Sequence, residues 1–142
     1  HITLDPGGPE RDLGPERVPY MWPFRTLLDS GATLAFGTDS PVTDIDPIDA
    51  VYTAVTRRDA DTHEPLGGWL PEERITLAEA LRAYTAGSAA AAQRADELGQ
   101  LAPGMFADIT VLSPNPFKLA PDDLQPAKVQ ATYVAGKKAY ER

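Results

Sequence analysis

An apolar segment without alternation, Ala32-Thr33-Leu34-Ala35-Phe36, runs directly into Gly37-Thr38-Asp39-Ser40-Pro41. Strands that are apolar on both faces belong to parallel sheets whose two sides are covered by helices. A short helical pattern over residues 22–30 precedes the segment, and Gly31 can end that helix in the left-handed conformation. This stretch therefore predicts one αβ unit of a parallel sheet, with Asp39 at the C-terminal end of its strand.

Asp39 is the sharpest candidate for chemistry. Ligands and catalytic groups gather at the C-terminal ends of parallel strands, because the loops there form the crevice. A carboxylate at the end of a buried strand is costly to desolvate unless a positive group meets it. The alternative is that Asp39 caps the turn that begins at Ser40-Pro41, and the residues alone leave both interpretations open.

Local signals predict two further helices and a loop. Asp46 can cap a helix with Pro47 at its first position, ending near Arg58, where Arg57-Arg58 is expected to be a solvated helix end. Thr76 and Glu79 form a capping-box pattern ahead of a stripe of small residues that permits close packing. Residues 5–19 are rich in proline and glycine and are predicted to form a long loop.

The character of the chain changes from Gly99 onward. Residues 107–112 and 129–134 are β-branched and apolar, and the second run leads through Ala135-Gly136 into a third, which is typical of a hairpin. The chain therefore combines an αβ half with a half made of strands and turns.

Both histidines leave alternatives open. His63 lies in a polar loop with no second histidine at metal-ligand spacing, so a solvated loop residue is favoured over a ligand. His1 opens "HITLD", which is either the end of a strand near the same sheet edge as Asp39 or a tag remnant. Because the chain opens on His1 and not on Met, we expect it to be a piece of a longer protein.

Two other groups have an ordinary structural explanation beside a functional one. Asp44, Asp46 and Asp49 resemble a metal-binding acid cluster but lack the glycine and glutamate of a calcium loop, and helix capping explains two of them. Tyr20 and Trp22 could line a pocket, although aromatic residues ahead of a helix are more often packing anchors.

Charge and composition exclude several classes of partner. The chain has 142 residues, a net charge of -8, no cysteine and no cluster of basic residues. Such a surface repels phosphate backbones and anionic lipids, so nucleic acid and membrane are not expected as partners. The absence of cysteine fits a reducing compartment, and we expect a cytoplasmic protein.

Four segments in register resemble the C-terminal part of a metal-dependent hydrolase of the amidohydrolase superfamily, in its YtcJ-like branch, amidohydrolase family 3. They are "WPFRTLLDSGATLAFGTDSPV", "DPIDAVYTAVTRRD", "RITLAEALRAYTAGSAAAA" and "GQLAPGMFADITVLSPNPF". The fold class that the resemblance implies is α/β: the last αβ unit and following helices of a TIM barrel, plus the C-terminal strands of a small β-sandwich. Residues 1–95 would belong to the (β/α)8 barrel, with Leu34–Thr38 as its eighth strand, and residues 96–142 to the composite sandwich.

The resemblance also implies an activity and a site. The parent would hydrolyse a carbon–nitrogen bond of an amide or cyclic amide in a small-molecule substrate, using metal-activated water. Asp39 would be both catalytic residue and metal ligand, and His1, if native, a substrate-pocket residue. The metal would be divalent, with zinc expected, but the family's His-x-His pair and later histidine ligands have no counterpart here. We therefore expect this chain to bind no metal tightly and to be inactive alone.

A second hypothesis belongs to a different class. The missing ligands would also fit a non-catalytic binding or oligomerisation module derived from the same fold. A barrel strand without its neighbours leaves unpaired backbone and apolar faces, so self-association of the isolated chain is expected, whereas a compact monomer would favour an autonomous module.

Overall fold

The computed structural model describes residues 1–3 and 5–142. Within them, five short helices precede three strands. The helices are α1 (Gly8–Leu13), α2 (Phe24–Asp29), α3 (Pro47–Thr56), α4 (Leu77–Arg82) and α5 (Ser88–Ala91), and the strands are β1 (Ile109–Ser113), β2 (Lys128–Val134) and β3 (Lys137–Glu141). A π-helical turn, Ala83–Gly87, joins α4 to α5. No helix in these residues is long and apolar enough to cross a membrane.

The two helices predicted from capping signals are confirmed. The Asp46 side chain accepts a hydrogen bond from the Ile48 backbone N–H at 3.0 Å, which starts α3. Thr76 and Glu79 form the complete capping box of α4. α3 ends at Thr56, and Arg57 follows in the left-handed conformation with φ of 61°.

The prediction of a long loop over residues 5–19 is wrong in part. Gly8–Leu13 forms α1 and Val18–Tyr20 forms a 3₁₀ turn, and each carries a proline in its first two positions. A proline there lacks only an N–H that has no intrahelical acceptor, so the same residue that breaks a helix interior is compatible with a helix start.

The segment predicted as a buried parallel strand has no strand partner within residues 1–3 and 5–142. Its Phe36 N–H donates to the Ala83 carbonyl at 3.1 Å, and Ser88 Oγ donates to the Phe36 carbonyl at 2.7 Å. A Cβ placed on Gly87 would lie 1.9 Å from the Leu34 carbonyl oxygen. The predicted stripe of small residues therefore does pack closely, and its neighbour is this apolar segment.

The three strands form an antiparallel sheet in the order β1-β2-β3. Val111 pairs with Ala131 across β1 and β2, and Val134 pairs with Lys137 across the hairpin. Ala135 and Gly136 both have positive φ, as the tight turn of a hairpin requires. The coarse prediction of an α/β chain is confirmed.

The largest cluster of buried side chains surrounds α3. Val51, Tyr52 and Val55 pack there with Ile75 from the segment before α4. Leu124, which lies between β1 and β2 in sequence, also belongs to this cluster. The connection from the sheet therefore returns to the helical part and shares its core.

Candidate functional site

A cleft of about 1190 Å³ lies between the start of the chain, the apolar segment and α3. Among the described residues, the cleft is lined by residues 1–3, 22–24, 34–37, 40–46 and 59–61, together with Leu27, Asp49, Ala50, Thr53, Ala54 and Tyr84. His1 is among them. The structure thus places His1 on the same cleft as the loop that follows the apolar segment. The strand-end interpretation of "HITLD" is not confirmed, because residues 2 and 3 form a turn and not a strand.

Asp39 lies in the loop after the apolar segment and is not among the residues that line this cleft. It has a positive φ of 54°, and its carbonyl accepts a hydrogen bond from the Val42 N–H at 2.8 Å. Its neighbours Gly37 and Ser40 line the cleft. The expectation of a buried carboxylate is wrong for this chain, because Asp39 turns out of the apolar segment and is exposed.

The residues described here do not fit a complete metal site. They contain no group of three histidine, cysteine, aspartate or glutamate side chains placed to hold a metal ion. A catalytic zinc takes about three protein ligands. Asp39 is therefore a single candidate ligand, and the remaining ligands would have to come from elsewhere.

The described lining of the cleft is acidic. It holds five aspartates, namely Asp44, Asp46, Asp49, Asp59 and Asp61, and no lysine or arginine. Asp59 accepts hydrogen bonds from the Asp61 and Thr62 N–H groups; burial raises its pKa, but these bonds outweigh that effect, and the net pKa is lowered. The cleft therefore favours neutral or cationic ligands over anionic ones.

The acid cluster predicted near α3 is explained by helix capping. Asp46 caps the helix, and Asp49 lies in its first turn, where a negative charge complements the helix dipole. Asp44 accepts a hydrogen bond from the Asp46 N–H at 3.2 Å.

His63 is partly buried, so the favoured prediction of a solvated loop residue is wrong in part. Its Nδ1 lies 3.1 Å from the hydroxyl of Tyr52, which is fully buried in α3. The loop after α3 folds back on the helix, and this long-range contact has no local signal in the sequence.

The prediction that Arg57 is solvated is also wrong. Arg57 is 0% exposed, and its guanidinium lies over the rings of Trp69 and Phe24, with Cζ 5.2 and 5.5 Å from their centroids. Burial lowers its pKa to about 10, and the nearby Glu73 and Glu72 charges oppose that effect. The side chain therefore remains a cation at neutral pH.

Trp22 contacts both this buried arginine and the cleft: its carbonyl accepts a hydrogen bond from Arg57. The pocket interpretation of Trp22 predicted its position in the lining. Trp22 lines the cleft, and its ring meets that of Trp69 edge-on, with centroids 6.0 Å apart. The exposed Tyr20 is not among the lining residues.

Comparison with known proteins identifies the family. The model of the amidohydrolase family matches residues 2–140. The chain is 40% identical to the protein LONG AFTER FAR-RED 3 of Arabidopsis thaliana, over 99% of this chain and 24% of that protein. It is 33% identical to the putative amidohydrolase YtcJ of Bacillus subtilis, over 92% and 24%. It is 35% identical to the N-substituted formamide deformylase of Arthrobacter pascens, over 86% and 22%.

Two solved structures resemble the fold. An amidohydrolase from Thermotoga maritima superposes with a TM-score of 0.61 at 21% identity, over 86% of this chain and 26% of that one. An uncharacterized metal-dependent hydrolase from Pyrococcus furiosus superposes with a TM-score of 0.52 at 34% identity, over 65% and 17%. The chain spans about a quarter of the length of the curated relatives. It belongs to the amidohydrolase family.

Proposed function

We propose that this chain is the C-terminal part of a metal-dependent hydrolase that cleaves carbon–nitrogen bonds of amides or cyclic amides in small molecules. The observation that carries the proposal is the family match over residues 2–140, in a chain whose candidate catalytic loop opens on an acidic cleft. Similarity to an N-substituted formamide deformylase supports the bond type, and similarity to a metal-dependent hydrolase supports a divalent cofactor.

The proposal divides the chain as the resemblance implies. Residues 1–95 would form the last αβ unit and following helices of a barrel, and residues 96–142 would add strands to a composite sandwich. The observed order of helices before an antiparallel sheet fits this division. Zinc as the metal and the cytoplasm as the location remain predictions.

Asp39 is proposed as the general base. Its exposed carboxylate, in the loop whose residues 40–46 line the cleft, would orient a water molecule and take its proton. His1, which lines the cleft, is proposed to contact the substrate. Because the described residues do not complete a metal site, the proposal holds the 142-residue chain inactive without the rest of the hydrolase.

The test uses the complete hydrolase and a panel of N-substituted formamides, N-substituted acetamides and lactams. Asp39→Asn should lower kcat by about 10²–10⁴-fold, the usual contribution of a general base, while thermal unfolding is unchanged. Asp96→Asn is the matched control, since Asp96 is an equally exposed aspartate in a different segment, between α5 and β1. Dialysis against a chelator should abolish turnover, and added zinc should restore it.

Retained turnover in Asp39→Asn would contradict the assignment of the base. A complete polypeptide that hydrolyses none of these amides, with or without zinc, would instead favour the non-catalytic binding or oligomerisation module.

A further inference from the structure

Arg57 makes an arrangement that the proposed hydrolysis does not use. Its Nε donates to the Trp69 carbonyl at 2.9 Å and its Nη1 donates to the Trp22 carbonyl at 3.0 Å. The Trp69 N–H in turn donates to the Arg57 carbonyl at 2.8 Å. The planar guanidinium thus binds two backbone carbonyls in two different loops. A lysine ammonium cannot make both hydrogen bonds in this fixed geometry.

Stability alone does not explain this arginine. Its Nη2 is buried and has no hydrogen-bond partner among residues 1–3 and 5–142. Replacing buried ionic groups with well-packed apolar residues is often neutral or stabilising, so such groups are weak evidence for a stabilising role. What Arg57 does supply is a defined geometry for the backbone on either side of it.

One of the residues that Arg57 binds, Trp22, has a strained backbone and lines the cleft. Trp22 has φ of 46°, which is uncommon for a bulky side chain. Its carbonyl accepts from Arg57 and also from the Phe24 N–H at 2.9 Å. These two bonds and the edge contact with Trp69 hold Trp22 in a conformation that it would not favour alone.

The same cluster reaches the segment that carries Asp39. Phe24 lies beneath the Arg57 guanidinium and packs against Phe36, with ring centroids 4.9 Å apart. Phe36 precedes Asp39 by three residues. The placement of Trp22 is therefore tied, through packed rings, to the backbone that leads to the candidate base.

We propose that Trp22 selects ligands that carry a flat aromatic group, and that Arg57 is the positioning residue that holds Trp22 in the cleft wall. In the hydrolase the selected group is the substituent beside the scissile bond, and this part rests on the proposed function. An indole presents a large rigid face to a planar ring, and the acidic lining excludes carboxylate-bearing rings. The ligand class is therefore a neutral or cationic aromatic amide.

The experiment compares acetanilide with N-cyclohexylacetamide, which share an acyl group and ring size but differ in planarity. Binding of both to the metal-free complete polypeptide is measured by calorimetry, and KM and kcat are measured for whichever matched aryl and cyclohexyl amides the zinc-loaded enzyme hydrolyses. We expect tighter binding of the aryl compound. Trp22→Leu should weaken that binding about fivefold and change cyclohexyl binding less than twofold.

Arg57→Lys tests the positioning role. This substitution keeps the positive charge but removes the guanidinium that binds both carbonyls. It should therefore reduce the preference for aryl over cyclohexyl ligands, as Trp22→Leu does. In the 142-residue chain carrying Trp69→Phe, where Trp22 is the only tryptophan, the fluorescence emission of Trp22 should shift on Arg57→Lys. A shift together with a lost aryl preference supports the role; an unchanged preference overturns it.

The two proposals fail separately. If the polypeptide hydrolyses no amide but binds aryl compounds more tightly, and Trp22→Leu removes that preference, the proposed hydrolase function is contradicted. The role of Trp22 as the selecting residue is then still supported. Turnover with no aryl preference, or with a preference that Trp22→Leu leaves intact, supports the hydrolase and overturns the assignment. If Arg57→Lys does not fold, the Trp22→Leu comparison alone decides.

Discussion

Buried charge is the main feature at the scale of single residues. Glu73 is 6% exposed and accepts hydrogen bonds from both the backbone N–H and the hydroxyl of Thr26. Burial raises the pKa of Glu73, but the Thr26 bonds and the Arg57 charge outweigh it, so the net pKa is lowered. Its carboxylate form is therefore bound more favourably in the folded chain than in water.

The sign of the pH dependence follows from that direction. Because the folded pKa lies below the ordinary 4.5, the unfolded chain takes up a proton first as the solution is acidified. The stabilisation by Glu73 is present above pH 4.5 and is lost as pH falls through the lowered folded pKa. Glu73→Gln should reduce the free energy of unfolding by about 1–3 kcal/mol at pH 7 and by less at pH 3.

Urea unfolding of the 142-residue chain, followed by circular dichroism between pH 3 and 7, measures this difference. Glu72→Gln is the matched control, because Glu72 is adjacent to Glu73 in sequence but its side chain is exposed. An equal loss at pH 3 and pH 7 would show that Glu73 stabilises the chain through packing and not through its charge.

Which residue roles could be predicted depends on how local their causes are. Asp46 and Thr76 cap helices through partners two or three residues away, and both were predictable. Arg57 binds carbonyls 12 and 35 residues away. Because these partners are distant in sequence, the local pattern predicted a solvated side chain instead of a buried one. Asp39 was located at a loop after an apolar segment, but its exposure depends on what surrounds that segment.

Among the elements, the apolar segment of residues 32–38 shows the limit of pattern reasoning. A run without alternation predicts burial on both faces, yet strand formation needs a partner strand. Within the part of the chain described here that partner is missing, and the helical segment of residues 77–91 packs on one side instead. The small-residue stripe, in contrast, predicted its own packing correctly.

Gly87 makes the contact between these two elements possible. An alanine Cβ there would lie 1.9 Å from the Leu34 carbonyl oxygen, a backbone atom that cannot rotate away. Gly87→Ala should therefore push the helical turn off the apolar segment and destabilise the chain by about 1–3 kcal/mol.

Gly37→Ala makes the same chemical change on the opposite element, where a Cβ would have nothing within 4 Å. It should change the free energy of unfolding by less than about 0.5 kcal/mol. Urea unfolding of both variants measures the contrast, and equal effects would mean that the close approach of Gly87 to Leu34 does not govern stability.

At the scale of the whole molecule, the segment between β1 and β2 binds the C-terminal part to the helices. Leu124 is 3% exposed in the core around α3, and Arg58 forms an ion pair with Asp122 at 2.6 Å. The proposed division at residues 95 and 96 therefore does not separate two independent cores. Leu124→Ala should cost about 2–5 kcal/mol and leave a single unfolding transition.

Leu101→Ala is the matched control, because Leu101 is 74% exposed. Thermal unfolding monitored separately by far-ultraviolet circular dichroism and by tryptophan fluorescence distinguishes one transition from two. Two transitions, with only the β-rich one shifted by Leu124→Ala, would show that the parts fold independently.

The last prediction concerns the surfaces that the isolated chain leaves open. Ile45 is 78% exposed at the cleft, and Val111, Val134 and Tyr140 of the sheet are also exposed. Both outer strands of the sheet, β1 and β3, have an unpaired side within the described residues. Apolar patches and open strand edges of this kind promote association, although Lys137 and Lys138 oppose edge pairing on β3.

Sedimentation of the 142-residue chain should therefore show a concentration-dependent species heavier than the 15.3 kDa monomer. Ile45→Lys and Val134→Lys should shift the distribution toward the monomer if the cleft and the sheet are the contacts. Leu66→Lys, on a residue equally exposed but in the loop after α3, is the control and should not. A compact monomer at all concentrations would contradict the expected association and would favour an autonomous binding module over a piece cut from a barrel.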